Sequence, residues 1–237
     1  MITFCRRILA TFSCLVLTPI MFGEEPAAAG ADWQTTRPDA RRYDGIIGKE
    51  RAPQSLEAIW RELDLKPGDS IVDIGAGGGW WLEGMAEHVG ESGEVYGLEI
   101  KEALVEKMTK HYADTPQVKA VLGEFAATGL PADSCDIGFM VKVYHHIGKE
   151  VRIDYLKDLR NVIRPGGRLI IVERHPNIPT RAKKNGEKVH SMAPSELIAD
   201  MNAAGWFPSR IELLQQSAYY VAVFVEAELF SISDTEN

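Results

Sequence analysis

The sequence predicts an α/β fold with a mostly parallel sheet, and three features of the chain support that prediction. A buried strand over 71–74 is followed by a glycine-rich turn and then by a helical pattern over 82–89. Further apolar runs alternate with helical stripes, as in parallel strands joined by helices. The last two strand-like runs, 211–214 and 219–225, are only four residues apart. A connection that short permits an antiparallel hairpin, because a parallel crossover needs about a dozen residues or more.

Length and composition are those of one globular domain. The chain has 237 residues, of which 45% are hydrophobic and 25% charged, values that are ordinary for a protein with a single core. The formal net charge is −8. Surfaces that follow nucleic-acid phosphates are basic, so this balance argues against a general nucleic-acid binder.

The N-terminal residues have the composition of an export signal. Arg6 and Arg7 precede a short apolar run, and small residues follow it. We expect a cleaved signal over 1–31 and a mature protein in the periplasm or outside the cell, with no membrane span, since the apolar run is short and interrupted. The alternative is that translation begins at Met21 and the protein is cytoplasmic.

The remaining boundaries follow from where the helix and strand patterns begin and end. We expect an irregular segment over 32–52, the main domain over 53–230 and a short tail over 231–237.

The first strand ends in the spacing Asp-x-Gly-x-Gly-x-Gly, formed by Asp73, Gly75, Gly77 and Gly79. Glycines let the backbone turn sharply and approach a ligand closely. A dinucleotide site needs a third glycine where this chain has Trp80, because that glycine lets the helix pack tightly against the strand. The glycine loop, defined here as residues 75–79, therefore favours a different nucleotide-type ligand.

The second and third strands end in acidic residues. The second strand leads to Glu99, 24 residues after Gly75, and an acid at a strand tip can accept hydrogen bonds from both hydroxyls of a ribose. The third strand, over 118–122, leads into Glu124 and Phe125. We expect these residues to lie at the same edge of the sheet as the glycine loop.

Two further motifs complete the pattern. The fourth strand, over 137–141, is followed by Lys142, Tyr144, His145 and His146, and a Pro-Gly-Gly turn at 165–167 precedes the fifth strand. In this order the four motifs resemble the class I methyltransferases that use S-adenosylmethionine. The resemblance covers about residues 53 to 226. It implies a Rossmann-like fold with a mostly parallel seven-stranded sheet, an antiparallel C-terminal hairpin and helices on both faces.

The resemblance also implies roles for individual residues. In that family the acid and the glycines of the loop hold the methionine end of the cofactor, the second acid holds the ribose, and the third strand supplies an acid and an apolar residue for the adenine. The candidate cofactor-binding residues are accordingly Asp73, Gly75, Ala76, Gly77, Gly79, Glu99, Ile100, Glu124, Phe125 and Lys142.

The chain also resembles a narrower group of small bacterial methyltransferases, often exported, that carry Tyr-His followed by His or Glu after the fourth strand. This implies Tyr144, His145 and His146 as catalytic candidates, and histidine is suited to removing a proton near neutral pH. The expected partner is a small-molecule methyl acceptor or another nucleophile. The alternatives are a binding protein that kept the fold without activity and, against the loop spacing, an NAD(P)-dependent oxidoreductase.

No metal site is expected. The six histidines do not fall into a cluster along the sequence, and His145 and His146 are adjacent, which makes it hard for both side chains to share one ion. A long polar connection between Glu173 and Ser191 leaves the fifth strand on the expected ligand side. It is either a lid over the site or a solvated basic loop.

Overall fold

A computed structural model describes residues 55–178, 190–215 and 217–226. The expected signal over 1–31, the irregular segment over 32–52, the tail over 231–237 and most of the polar connection lie outside these residues, so the expectations about them stay predictions. Where the chain is described, none of its helices has both the length and the apolar character that crossing a membrane requires.

The described residues form seven strands, five α-helices and one short 3-10 helix, Tyr144–His146. The strands are β1 (Ser70–Ile74), β2 (Glu94–Glu99), β3 (Val118–Leu122), β4 (Cys135–Val141), β5 (Ile163–Arg174), β6 (Trp206–Leu213) and β7 (Tyr219–Glu226). The helices are α1 (55–63), α2 (Leu82–Val89), α3 (Glu102–His111), α4 (Arg152–Val162) and α5 (Pro194–Ala203).

The seven strands make one sheet in the order β3-β2-β1-β4-β5-β7-β6. Strands β1 to β5 pair in parallel, and β7 is antiparallel to both β5 and β6. The predicted mostly parallel sheet with an antiparallel C-terminal hairpin is therefore confirmed. The chain moves outward from β1 in one direction and returns through β4 in the other. Open α/β sheets bind their ligands at such a switch point, outside the carboxyl ends of the strands.

The core lies on both faces of this sheet because the strands are buried on both sides. Successive residues of β1 point to opposite faces, so Ile71 packs in one cluster with α1 to α3 and Val72 in the other with α4 and α5. This two-sided burial explains why the central strands are continuous apolar runs. It also confirms the prediction of helices on both faces.

Two strands extend beyond their predicted bounds. Strand β6 begins at Trp206 and not at 211, because the register shift between Pro208 and Arg210 interrupts the apolar alternation on which the sequence prediction depends. Proline is tolerated there because β6 is an edge strand. Strand β5 begins at Ile163, so the Pro-Gly-Gly turn lies within an irregular part of the strand and not before it.

The central strand β4 gives a direct test of the core. Phe139 is fully buried and packs edge-on against Trp81, with ring centroids 5.2 Å apart. We expect Phe139→Ala to lower the free energy of unfolding by about 3–5 kcal/mol, because it removes buried area and leaves a cavity. Leu213→Ala on the edge strand, where the side chain is 56% exposed, should change it by only about 0.5 kcal/mol. Urea unfolding of both variants measures this, and equal losses would contradict the assigned core.

Candidate functional site

The glycine loop has the backbone geometry that its sequence implies. Gly75, Gly77 and Gly79 all have positive φ, at 70°, 60° and 81°, in the left-handed region that glycine adopts without steric cost. A Cβ atom on Gly75 would also lie 2.6 Å from Cγ2 of Val143. Two features therefore require glycine at position 75: its positive φ angle and the close approach of the Val143 side chain.

Glu99 ties this loop to β2. One of its carboxylate oxygens accepts a hydrogen bond from the Gly77 amide at 3.0 Å, and the other accepts from the amides of Ile100 at 2.9 Å and Lys101 at 3.2 Å. The residue is only 8% exposed. Three amide donors to one buried carboxylate fix the position of the loop relative to the neighbouring strand.

Asp73, near the carboxyl end of β1, is a buried acid with one carboxylate oxygen that accepts no hydrogen bond from the described residues. It is 2% exposed, and its Oδ2 atom has no hydrogen-bond partner among the described residues. Burial raises its pKa well above the ordinary value, and the nearby charge of Glu99 raises it further. A buried carboxylate oxygen without a partner is costly unless a cationic or hydrogen-bond-donating group meets it. Asp73 therefore fits a site for a positively charged ligand group.

A cavity of about 390 Å³ opens at the switch point between β1 and β4. Its walls include the carboxyl ends of three strands, and six of the predicted cofactor-binding residues line it: Gly75, Glu99, Ile100, Glu124, Phe125 and Lys142. Asp73, Ala76, Gly77 and Gly79 are not among the lining residues. Ala76 and Gly79 instead shape the loop, since the Ala76 amide bonds to the Leu98 carbonyl and the Gly79 amide to the Ala76 carbonyl.

The far wall of the cavity is apolar and open. Ile100 and Phe125 are 54% and 59% exposed, an unusual state for large apolar side chains beside a pocket. Lys142 lies across the cavity with a positive φ of 59°, and its amide donates to the Val172 carbonyl. A left-handed lysine at the tip of a strand stores strain, which is a common feature of ligand-binding sites.

The prediction that Tyr144 faces the crevice is wrong. Its side chain is fully buried in the core cluster beneath α4 and α5, and its hydroxyl donates to Asp200 at 2.9 Å. Burial, reinforced by Asp200, raises the pKa of Tyr144 well above its ordinary value. Arg152 lies over the Tyr144 ring, 5.2 Å from its centroid, and also contacts Asp200. Tyr144 thus anchors the 3-10 helix and does not face a substrate.

His145 is held by Glu173, the last residue but one of strand β5, which is completely buried. Its Nδ1 atom lies 2.8 Å and 3.0 Å from the two carboxylate oxygens, and its backbone amide donates to the same carboxylate. The side chain of His145 is 7% exposed. Glu173 therefore fixes both the position of the imidazole and the nitrogen that carries its proton.

His146 is the one catalytic candidate that lines the cavity. Burial lowers its pKa, and the neighbouring His145 and His190 lower it further. His190 is the last residue of the polar connection. Its ring centroid lies 5.3 Å from that of His146 and 5.5 Å from that of His145. Three imidazoles are thus clustered at this edge of the cavity, and His146 is the one that lines it.

The sequence predicts no metal site, because His145 and His146 are adjacent. In the structure the two rings nevertheless lie close enough to share an ion. The 3-10 helix directs both rings to the same side, with centroids 4.0 Å apart. One nitrogen from each of His145, His146 and His190 lies within 4.8 Å of the others. Counting along the sequence missed the group because 44 positions separate His190 from His146.

Comparison with known proteins agrees with this geometry. Residues 71–167 match a family model described as a methyltransferase domain. A demethylmenaquinone methyltransferase from Lysinibacillus sphaericus is 30% identical over 137 residues, which are 56% of this chain and 56% of that protein. An uncharacterised 37.1 kDa protein in transposon TN4556 of Streptomyces fradiae is 30% identical over 146 residues, 61% of this chain and 42% of that protein. The chain thus spans about half the length of these curated relatives.

A solved structure extends the likeness to the whole sheet. The SAM-dependent methyltransferase from Aquifex aeolicus matches with a TM-score of 0.63 at 20% identity, over 79% of this chain and 93% of that one. At this identity the likeness concerns the fold, and it agrees with the observed strand order. Residues 71–167 thus match a methyltransferase domain, within a fold like that of solved methyltransferases. The family resemblance and the fold predicted from the four motifs are thereby confirmed, whereas the roles of single residues stay predictions.

Four residues of the candidate site were not singled out as functional from the sequence: Arg152, Glu173, His190 and Asp200. Glu173 gave a usable signal, since an acid directly after four apolar strand residues is unusual unless it has a buried partner. Asp200 and Arg152 gave none. Asp200 is 56 positions from Tyr144, and only the packing of α5 against α4 brings them together.

The raised pKa of Asp73 makes the stability of the ligand-free protein depend on pH. A carboxyl group whose pKa is higher in the folded state binds its proton more tightly there, so the unfolded chain releases the proton first as pH rises. The folded state then loses stability as pH rises from about 4, the pKa of the unfolded chain, toward the raised pKa of the folded state. Asp73→Asn removes the charge at nearly constant shape. We expect the wild type to lose more unfolding free energy over this range than the variant, by about 1.4 kcal/mol for each unit of pKa elevation.

Chemical denaturation at several pH values, with Asp114→Asn as the exposed control, measures the effect. Parallel pH profiles for the wild type and Asp73→Asn would show that Asp73 is not a buried charge in the ligand-free protein.

Proposed function

We propose that this protein transfers a methyl group from S-adenosylmethionine to a small-molecule acceptor. The observation that supports it best is the buried, unpaired Asp73 carboxylate beside the cavity at the switch point of a methyltransferase fold. S-adenosylmethionine carries a methyl group on a positively charged sulfur and an ammonium group at its methionine end. The acidic side chains of the site complement these positive charges, because Asp73, Glu99 and Glu124 lie at or beside the cavity.

The remaining contacts follow from the geometry of the loop and the walls. Glu99 already accepts three amide hydrogen bonds, and a carboxylate has about four acceptor positions. It therefore keeps one position for a ribose hydroxyl, fewer than the two that the sequence alone suggested. Ile100 and Phe125 supply exposed apolar surface for the adenine ring, next to Glu124 for its amino group.

The acceptor enters on the histidine side of the cavity. The Nδ1 atom of His145 faces Glu173, so only its Nε2 atom remains available to accept a proton. This is the arrangement by which a buried carboxylate orients an imidazole as a general base. His146 lines the cavity itself and contacts the His145 ring. We assign proton removal from an acceptor hydroxyl to His145, whose ring lies against that of the cavity-lining His146, with Glu173 as its positioning residue.

The identity of the methyl donor is tested by calorimetry. Glu99→Ala removes the ribose acceptor and the contact to the Gly77 amide, so its affinity for S-adenosylmethionine should fall by about 1.5–3 kcal/mol, the range for hydrogen bonds to charged groups. Glu99→Gln keeps one acceptor oxygen and should bind with intermediate affinity. Binding of NAD by the wild type, with none of S-adenosylmethionine, would refute the proposed function.

The role of His145 is tested by kinetics on an acceptor found by screening with methyl-labelled S-adenosylmethionine. We expect His145→Ala to lower kcat by about 10²–10⁴-fold and to leave the Kd for S-adenosylmethionine nearly unchanged, since a base acts on the transition state. Tyr144→Phe is the matched control on the adjacent position. It removes only a buried hydroxyl that bonds to Asp200, so it should lower stability and keep kcat. Normal turnover by His145→Ala would assign His145 a structural role.

A further inference from the structure

Three histidines from two distant parts of the chain meet beside the methyl-donor cavity. His145 and His146 come from the 3-10 helix after β4, and His190 comes from the segment before α5. One nitrogen of each lies within 4.8 Å of the other two. The geometry points to a binding site for one divalent transition-metal ion of the Zn²⁺ type, formed by His145, His146 and His190.

The contact of His145 with Glu173 is the second observation for this site. Histidines that bind metals almost always donate their other ring N–H to a carboxylate or a carbonyl, which fixes the ring and makes the free nitrogen more basic. The Nδ1 atom of His145 lies 2.8 Å from a carboxylate oxygen of Glu173, and both side chains are buried. Because Glu173 occupies Nδ1, we assign the Nε2 atom of His145 as the ligand atom.

The distances allow an ion to enter with small rearrangements. Zinc binds histidine nitrogen at about 2.0–2.1 Å in a tetrahedral arrangement, which sets ligand atoms roughly 3.3 Å apart. The three nitrogens must therefore approach by up to about 1.5 Å from their 4.8 Å limit. His145 is held by Glu173, whereas His146 and His190 are exposed and can rotate toward it. Imidazole is a preferred ligand of Zn²⁺, Cu²⁺ and Ni²⁺, which supports this class of ion over Mg²⁺ or Ca²⁺.

Three protein ligands leave a tetrahedral ion one position open, as in catalytic zinc sites. His146 lines the methyl-donor cavity, so the open position adjoins that cavity. Resting on the proposed function, this position would take an oxygen of the methyl acceptor, in a hydroxyl or carboxylate group. A bound ion orients such a group and lowers the pKa of a hydroxyl. In the ion-bound protein, His145 is then a ligand and the ion replaces it in activating the acceptor.

The binding test uses the full chain, purified without a histidine tag and stripped with a chelator. Titration with Zn²⁺ in competition with a chromophoric chelator should give one ion per chain with a Kd of micromolar or tighter. Replacing Zn²⁺ by Co²⁺ should give the visible absorption of a tetrahedral site. His190→Ala should weaken binding at least a hundredfold without loss of thermal stability, because the residue is exposed. His111→Ala, an exposed histidine on α3 outside the cluster, should bind as the wild type does.

Glu173→Gln tests the positioning role. It keeps the shape of the side chain and should lower Zn²⁺ affinity by about 10–100-fold, as expected for loss of a carboxylate behind a ligand. Equal Zn²⁺ affinity in the wild type and His190→Ala, or wild-type binding weaker than millimolar, would overturn the site. These outcomes are separate from the proposed function, since binding of S-adenosylmethionine is measured on the stripped protein. If methyl transfer persists in the chelator with no Zn²⁺ bound, the proposed role of the ion is refuted. The proposed methyl transfer is then unaffected.

Discussion

The functional end of this protein depends on the burial of three carboxylates at the carboxyl ends of its strands. Asp73, Glu99 and Glu173 end β1, β2 and β5 or lie next to the end, and they are 2%, 8% and 0% exposed. An unpaired charge in such a place is strongly unfavourable. Each carboxylate therefore needs partners, and the identity of those partners determines what happens at each point of the cavity edge.

The three acids meet this requirement in three different ways. Glu99 is satisfied by backbone amides, and in return it fixes the glycine loop against β2. Glu173 is satisfied by the ring and the amide of His145. Asp73 keeps one oxygen without a partner among the described residues. Glu99 thus holds the glycine loop rigid, whereas Asp73 keeps a carboxylate oxygen without a partner among the described residues, which suits a cationic ligand and costs stability without one.

The histidine edge of the cavity is formed by the 3-10 helix Tyr144–His146, between β4 and α4. Tyr144 enters the core and bonds to Asp200, while His145 bonds to Glu173. Consecutive residues are therefore anchored in opposite directions, and the anchors leave His146 directed at the cavity beside His190. Groups that are held by their neighbours in this way are preorganised for binding or proton transfer. Long-range contacts, more than the local sequence, therefore decide that His146, and not Tyr144 or His145, lines the cavity.

The sequence by itself determined the fold and the part of the cavity edge that the glycine loop and Glu99 form. Glycine spacing, the acids at 73 and 99 and the alternation of strands with helices are local patterns, and their meaning depends on backbone angles and on the direction of parallel strands. The positions of Tyr144, His145 and His146 relative to the cavity depend on the tertiary structure. Tyr144 and Asp200, His145 and Glu173, and His146 and His190 are each at least 28 positions apart. They meet because β4 pairs with β5 and because α5 packs against α4. No local pattern encodes such a pairing, because burial of a tyrosine or convergence of imidazoles depends on what the rest of the chain places opposite them.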